Sequence, residues 1–373
     1  MHKLGQESLG TRYREIFKDY DKFPFETDPA VISELDAILF AKIKAEDYSG
    51  IHLAPPEFFD YDAYLFLYGA DAGGKTYEEL EIKDLVGQRR RKFRDDADIE
   101  SIKNIKISLY DANTGTVVKN KWSAYKCVVA EVSRGNETYI LSIGQWRKVS
   151  ADLQHEVTSF VGSIVFSDPA YLPQGVRLWN PQAKGGNGKP YKGENQEAVF
   201  NQTAESESAD LFLFDKGRVE IAGEKKYEVC DLLHKDKILI QVKKYSSGSA
   251  SISHLFVQAR FYAEAFLFDE KCRTSMAAHI TEKARGRNIV SFLACVPKER
   301  KALDAKDYRV CLCLLTEQSG FSIVGLPFMA KYELMHTLRH IENLGLGYEV
   351  VVRAVKYGPE QQDENTAREE EAI

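Results

Sequence analysis

KYEVCDLLHKDKILIQVKKYSSGSASISHLFVQARFY, residues 226–262, decides how this chain is read. Two apolar runs, KYEVCDLL and KILIQVKKY, flank a polar HKDK turn, which is the pattern of a β-hairpin. The hairpin places Asp231 near the end of its first strand and Gln241-Val242-Lys243 near the end of its second. Side chains alternate along a strand, so Gln241 and Lys243 share a face that Val242 leaves. An unpaired buried charge is costly, and Asp231 is the partner at hand for Lys243. The run that follows, SHLFVQARFYAEAFLF, reads as a long helix. On it Gln258 and Tyr262 stand four apart, so both face one way, toward a nucleic acid strand or the Lys243 end of the hairpin.

An Asp, a gap of nine residues, an acceptor side chain, one spacer and a Lys set oxygen ligands for a divalent cation beside an ammonium group. Mg²⁺ or Mn²⁺ in such a site activates water and offsets charge on a pentavalent phosphate, while the Lys orients the nucleophile or the scissile phosphate. That is phosphodiester-hydrolysis chemistry.

The spacing resembles the PD-(D/E)XK, or restriction-endonuclease-like, nuclease core, with Asp231 first, Gln241 where Glu or Asp is usual, and Lys243 last. Gln258-Ala-Arg-Phe-Tyr262 resembles the QxxxY motif of RecB-type nucleases within that superfamily, and Glu197 stands where their first-helix acid would be. The resemblance implies an α/β fold, a PD-(D/E)XK-like mixed sheet flanked by helices. It implies metal ligation by Asp231, Gln241 and Glu197 and catalysis by these three with Lys243. It also implies nucleic-acid contacts from Lys244, Gln258, Tyr262, Ser253 and His254, the last two opening the long helix. Residues 226–262 are similar, besides, to a sporadically distributed family of uncharacterised bacterial proteins. The matching runs are Glu228 through Leu233, Val242-Lys243 and Ser253 through Gln258, with a looser extension through LAPPEFFDYD and YILSIGQWRKV. Scattered occurrence implies anti-phage defence or mobile elements. Taken singly, Asp231 reads as a hairpin cap, Lys243-Lys244 as a solvated strand end and QARFY as helix surface; their joint order sets them apart.

The 373 residues favour two domains. With 44% hydrophobic and 28% charged residues, collagen-like, coiled-coil and wholly disordered chains are excluded. No apolar run approaches the roughly 18–20 residues of a membrane span, and the N-terminus lacks a signal-peptide core, so the expectation is a cytoplasmic protein with no membrane partner. Six cysteines without a CxxC pair or a His at zinc spacing read as buried thiols. The net charge of −6 opposes non-specific coating of nucleic acid while leaving a local groove open.

Helical SELDAILFAKIKA, the strand AYLFLY and a β-rich meander from about 105 to 150 make residues 1–181 an α+β domain. Gly, Asn, Lys and Pro crowd into a linker or loop at 182–196, a nuclease-like domain fills 197–358, and 359–373 is an acidic disordered tail. Within the second domain NIVSFLACV, YRVCLCLLT and YEVVVRAVKY read as strands and AKYELMHTLRHIENLG as a helix.

Gly69 to Thr76 fits the phosphate-loop pattern GxxxxGK[ST] after a strand, but Asp71, Glu78, Glu79 and Glu81 would repel the phosphates it must hold. The Arg89–Arg94 cluster reads as a phosphate-backbone contact or a solvated loop. The expected function is a Mg²⁺- or Mn²⁺-dependent nuclease, on DNA ahead of RNA, with a homo-oligomer or a defence-system protein as further partner. One alternative is an inert nucleic-acid-binding or assembly module of the same fold; another is NTP binding through Gly69 to Thr76.

Overall fold

Apolar residues at helical spacing start the first unit. In the computed structural model, which describes residues 23–56, 64–69, 75–77, 80–88, 99–111, 116–180, 194–195, 197–214, 219–221, 224–227, 229–245, 251–317 and 320–358, helix α1 (Pro29–Lys44) opens on Asp28. The Asp28 carboxylate accepts from Ala30 N at 2.9 Å, and proline at the first helical position donates nothing that needs a partner. The chain then runs β1 (Ile51–Leu53), β2 (Tyr64–Tyr68), β3 (Thr76–Tyr77), α2 (Ile82–Gln88), α3 (Glu100–Asn104), β4 (Lys106–Asp111) and β5 (Thr116–Ser123). A single turn, α4 (Ala124–Cys127), leads to β6 (Val128–Arg134), β7 (Glu137–Ser142), β8 (Gln145–Lys148) and α5 (Ala151–Gly162). These strands form two antiparallel four-stranded sheets, ordered β3-β2-β4-β5 and β1-β6-β7-β8. The expected single meander is thus divided, because α4 interrupts WSAYKCVVAEV between two strands. Leu35, Leu39 and Ile43 of α1 share one core with Ile51, Ile107, Val128 and Leu141. Buried Asp36 in that core accepts from Tyr125 Oη at 2.6 Å and Trp146 Nε1 at 2.8 Å, and Lys103 Nζ lies 3.2 Å away.

The second unit continues with β9 (Phe166–Ser167), β10 (Val176–Arg177), β11 (Trp179–Asn180), β12 (Glu194–Asn195), α6 (Glu197–Glu207) and β13 (Leu211–Leu213). Next come a small hairpin, β14 (Val219–Ile221) with β15 (Glu224–Tyr227), and the pair β16 (Leu232–His234) and β17 (Ile238–Lys244). Helices α7 (Ser251–Phe268), α8 (Glu270–Glu282) and α9 (Val290–Ala294) lead to β18 (Arg309–Thr316), and α10 (Phe328–Asn343) leads to β19 (Gly347–Lys356). One mixed sheet is ordered β10-β19-β18-β17-β16-β13, with β9 also on β19. Strands β13, β16 and β17 pair antiparallel, while β17, β18 and β19 pair parallel. Parallel neighbours require long crossovers, and the helices between these strands supply them. The fold is α/β, and β18 is buried from Val310 to Thr316, as a central parallel strand covered on both faces must be.

The division of the chain differs from the expected one. The first unit takes Met1–Ser163, Ser246–Ser253 and Ser322–Met335; the second takes Ile164–Tyr245, His254–Phe321 and His336–Ile373. The boundary near 164 rather than 181 has a physical cause: β9 and β10 pair with β19, and the 1%-exposed Arg353 donates to Leu172 O, Pro169 O and Asp168 Oδ1. Of the expected linker, 182–193 and 196 lie outside the described residues; its flanks meet as the antiparallel pair β11–β12. The expected tail, 359–373, also lies outside them. NIVSFLACV is not a strand: α9 occupies it, with Asn288 Oδ1 accepting from Val290 N at 3.1 Å, because a short apolar run carries no periodicity that separates helix from strand. KYEVCDLL is likewise divided between β15, which belongs to the small hairpin, and β16 in the main sheet.

All six cysteines are free and buried. Burial pushes the thiols of Cys127, Cys272 and Cys313 up to about 12 and those of Cys230, Cys295 and Cys311 upward as well. Among the described residues, no helix is long and apolar enough to cross a membrane.

Candidate functional site

Strand β17 outlasts its hairpin partner. Pairing with β16 stops at Leu232 opposite Ile240, while β17 runs on to Lys244 beside β18. Backbone donors on the vacated edge need partners, and two carboxylates supply them. Asp231 Oδ2 accepts from Val242 N at 2.7 Å, and Glu197 Oε1 accepts from Lys244 N at 2.9 Å. These anchors are two residues apart, about 7 Å along an extended strand. Asp231 therefore lies just before β16, not within a strand as expected, and its turn-like backbone frees the carboxylate to reach Val242. Glu197 is the first residue of α6, where the helix dipole favours a negative charge.

Lys243 reaches Glu197, with Nζ 3.2 Å from Oε2, both side chains about a quarter exposed. Lys243 thus meets the helix acid, a contact the hairpin pattern does not name. Asn201, one turn after Glu197 on α6, is 0% exposed; its Nδ2 donates to Asp231 Oδ1 at 3.4 Å. Asn201 Oδ1 has no hydrogen-bond partner among the described residues. Gln241, 5% exposed, donates through Nε2 to Val229 O. Beyond β19, Tyr357 donates from its hydroxyl to Tyr245 O at 3.0 Å, and its ring centre lies 5.8 Å from Lys244 Nζ. Burial, with the charges of Glu317 and Glu197, pushes the Tyr357 phenol up to about 12. The Tyr245 ring packs on Phe321 with centroids 4.6 Å apart.

Five of the sequence-derived residues, Glu197, Asp231, Gln241, Lys243 and Lys244, thus gather where β17 runs past the end of β16. Gln258 and Tyr262 lie on α7; Gln258 is half-buried. Tyr262 is 8% exposed with its ring edge-on to Phe261, which makes it a packed side chain rather than a surface for stacking bases. The side chains of Ser253 and His254 lie outside the described residues. Two residues escaped the sequence reading. Asn201 was legible in principle, four positions after Glu197 on one helical face; Tyr357 is brought in by the sheet order and has no local signal.

The phosphate-loop match folds differently from its pattern. Thr76 pairs antiparallel with Leu67, Lys75 Nζ sits 4.6 Å from the Tyr77 ring centre, and the next helix begins at Ile82. Phosphate binding of that kind needs the Lys-Thr pair at a helix N-terminus; here Thr76 is in a strand. Residues 70–74, 78–79 and the Arg89–Arg94 cluster lie outside the described residues.

Among the described residues, no group of three or more His, Cys, Asp or Glu side chains is placed to hold a metal. The donor set at β17 is two carboxylates with carboxamides, which fits a hard cation that keeps much of its water. The model of the family of unknown function DUF6119 matches residues 2–356, and the chain belongs to that family. No curated protein and no solved structure matches it.

Proposed function

We propose that this chain, a member of that family of unknown function, hydrolyses phosphodiester bonds of nucleic acid, DNA ahead of RNA, with a divalent cation. One observation carries the reading: acids from a helix start and from just before a strand converge with a lysine where β17, still paired with β18, runs past the end of β16. The order helix, three antiparallel strands, helices, parallel strand, running from α6 to β18, also supports a restriction-endonuclease-like core. Glu197, Asp231 and Gln241 would hold Mg²⁺ or Mn²⁺, which when bound supplies Lewis acidity and an activated water.

The chain's own groups do the rest. Val242 N and Lys244 N fix the two carboxylates, so neither needs to reorganise when charge develops. Lys243 leaves Glu197 for a non-bridging phosphate oxygen, exchanging one charge-assisted contact for another. Lys244 and Tyr357 at the rim offer a cation and a ring to the polynucleotide. A bacterial defence setting in the cytoplasm belongs to the same proposal and rests on the family resemblance.

A second reading, an inert nucleic-acid-binding module, is favoured by the commitment of Gln241 Nε2 to Val229 O and of Lys243 to Glu197. A cleavage assay with Mn²⁺ on linear duplex, single-stranded DNA and RNA separates the two. We expect cutting by wild type and at least a hundredfold loss in Lys243→Ala with retained binding, since the substitution removes the cation that meets the charge developing on the phosphate, along with its ion pair to Glu197. Binding without cutting by wild type would establish the inert module instead.

A further inference from the structure

The α6 face that presents Glu197 also presents Asn201, and the amide of Asn201 is half satisfied. Its Nδ2 donates to the Asp231 carboxylate, so the amide cannot turn over without setting oxygen against oxygen. Its Oδ1 is buried, with no partner among the described residues. A buried acceptor left unpaired is destabilising, so native chains keep one where a water, an ion or a ligand completes it. The side chain that carries this oxygen is already bonded to a proposed metal ligand.

We propose that Asn201 is a further ligand of the centre at the end of β17, supplying a neutral oxygen to the divalent cation while its nitrogen positions Asp231. This rests on the metal-dependent reading above and adds to it a residue that no motif assigns. Two acids and two carboxamides, Glu197, Asp231, Gln241 and Asn201, would then make up the protein's share of the shell. Mixed carboxylate and carbonyl oxygens are what Mg²⁺ and Mn²⁺ accept.

The test is Mn²⁺ titration by calorimetry, with thermal melting in EDTA, on the full chain as wild type, Asn201→Leu and Asn201→Asp. The expected result for N201L is at least tenfold weaker Mn²⁺ binding with a melting temperature in EDTA close to that of wild type, because removing the unpaired buried oxygen offsets the loss of the Nδ2 donor to Asp231. For N201D we expect melting below wild type in EDTA, from two neighbouring carboxylates, and a larger rise on adding Mn²⁺ than wild type shows. An N201L chain that melts lower but binds Mn²⁺ as wild type does overturns the proposal and leaves Asn201 a brace for Asp231. Should N201L not fold, N201D decides: no extra stabilisation by Mn²⁺ overturns it equally. Wild type that takes up no Mn²⁺ removes the metal reading itself, a result distinct from equal binding by wild type and N201L.

Discussion

Replacing Gln241 with the Glu usual in nuclease motifs would set a carboxylate oxygen against Val229 O, where an amide nitrogen now donates. We expect Gln241→Glu to lower stability by about 1–3 kcal/mol at neutral pH rather than to strengthen the site. Protonation restores a donor, so the deficit should shrink as pH falls; melting curves across pH check the sign. Asp231→Asn behaves differently. An Asn oxygen still accepts from Val242 N, and a turned Asn201 amide then accepts from its nitrogen, so the fold should persist while Mn²⁺ uptake and cleavage vanish together. Unchanged Mn²⁺ affinity by calorimetry would move the metal elsewhere. At this scale the sequence carried much of the site: Asp231, Gln241 and Lys243 were visible as a hairpin pattern. The Glu197–Lys243 contact was not, because it joins residues 46 apart and only the sheet places them together.

Among elements, β19 and the residues before 180 depend on Arg353. Truncating it to Ala would remove the donor to Leu172 O and one of the donors to Pro169 O, while the exposed Asp168 carboxylate returns to water, and we expect a loss of about 1.5–3 kcal/mol, read by chemical denaturation. This tie also explains why the change of composition at 182–196 does not mark the break between the two units: pairing of β9 and β10 with β19 is a long-range property. Strands β18 and β19 were legible because continuous apolar runs suit buried parallel strands, whereas α9 was not, since five residues of helix fit the same letters. On β1, burial pushes the His52 imidazole down to about 4. Between that value and the unfolded value of about 6.5 the unfolded chain binds the extra proton, so stability rises with pH and is lost on acidification, by about 3 kcal/mol in all. His52→Gln should flatten this slope in denaturant titrations from pH 4 to 7.

For the whole molecule, the hairpin that carries Thr76 predicts that labelled ATP and GTP do not bind and that Lys75→Ala leaves cleavage unchanged; Mg²⁺-dependent nucleotide binding abolished by that substitution would reverse the ranking of the two motifs. The buried thiols have a different use. Cys127 belongs to the first unit and Cys230, Cys272, Cys295, Cys311 and Cys313 to the second. Alkylation of each must wait for the structure around it to open. Mass spectrometry of the labelled peptides therefore yields two separate opening clocks from one unmodified chain. Arg353→Ala should quicken the five-thiol clock and leave Cys127 at its wild-type rate, so the native thiols become a stopwatch for each half of the protein.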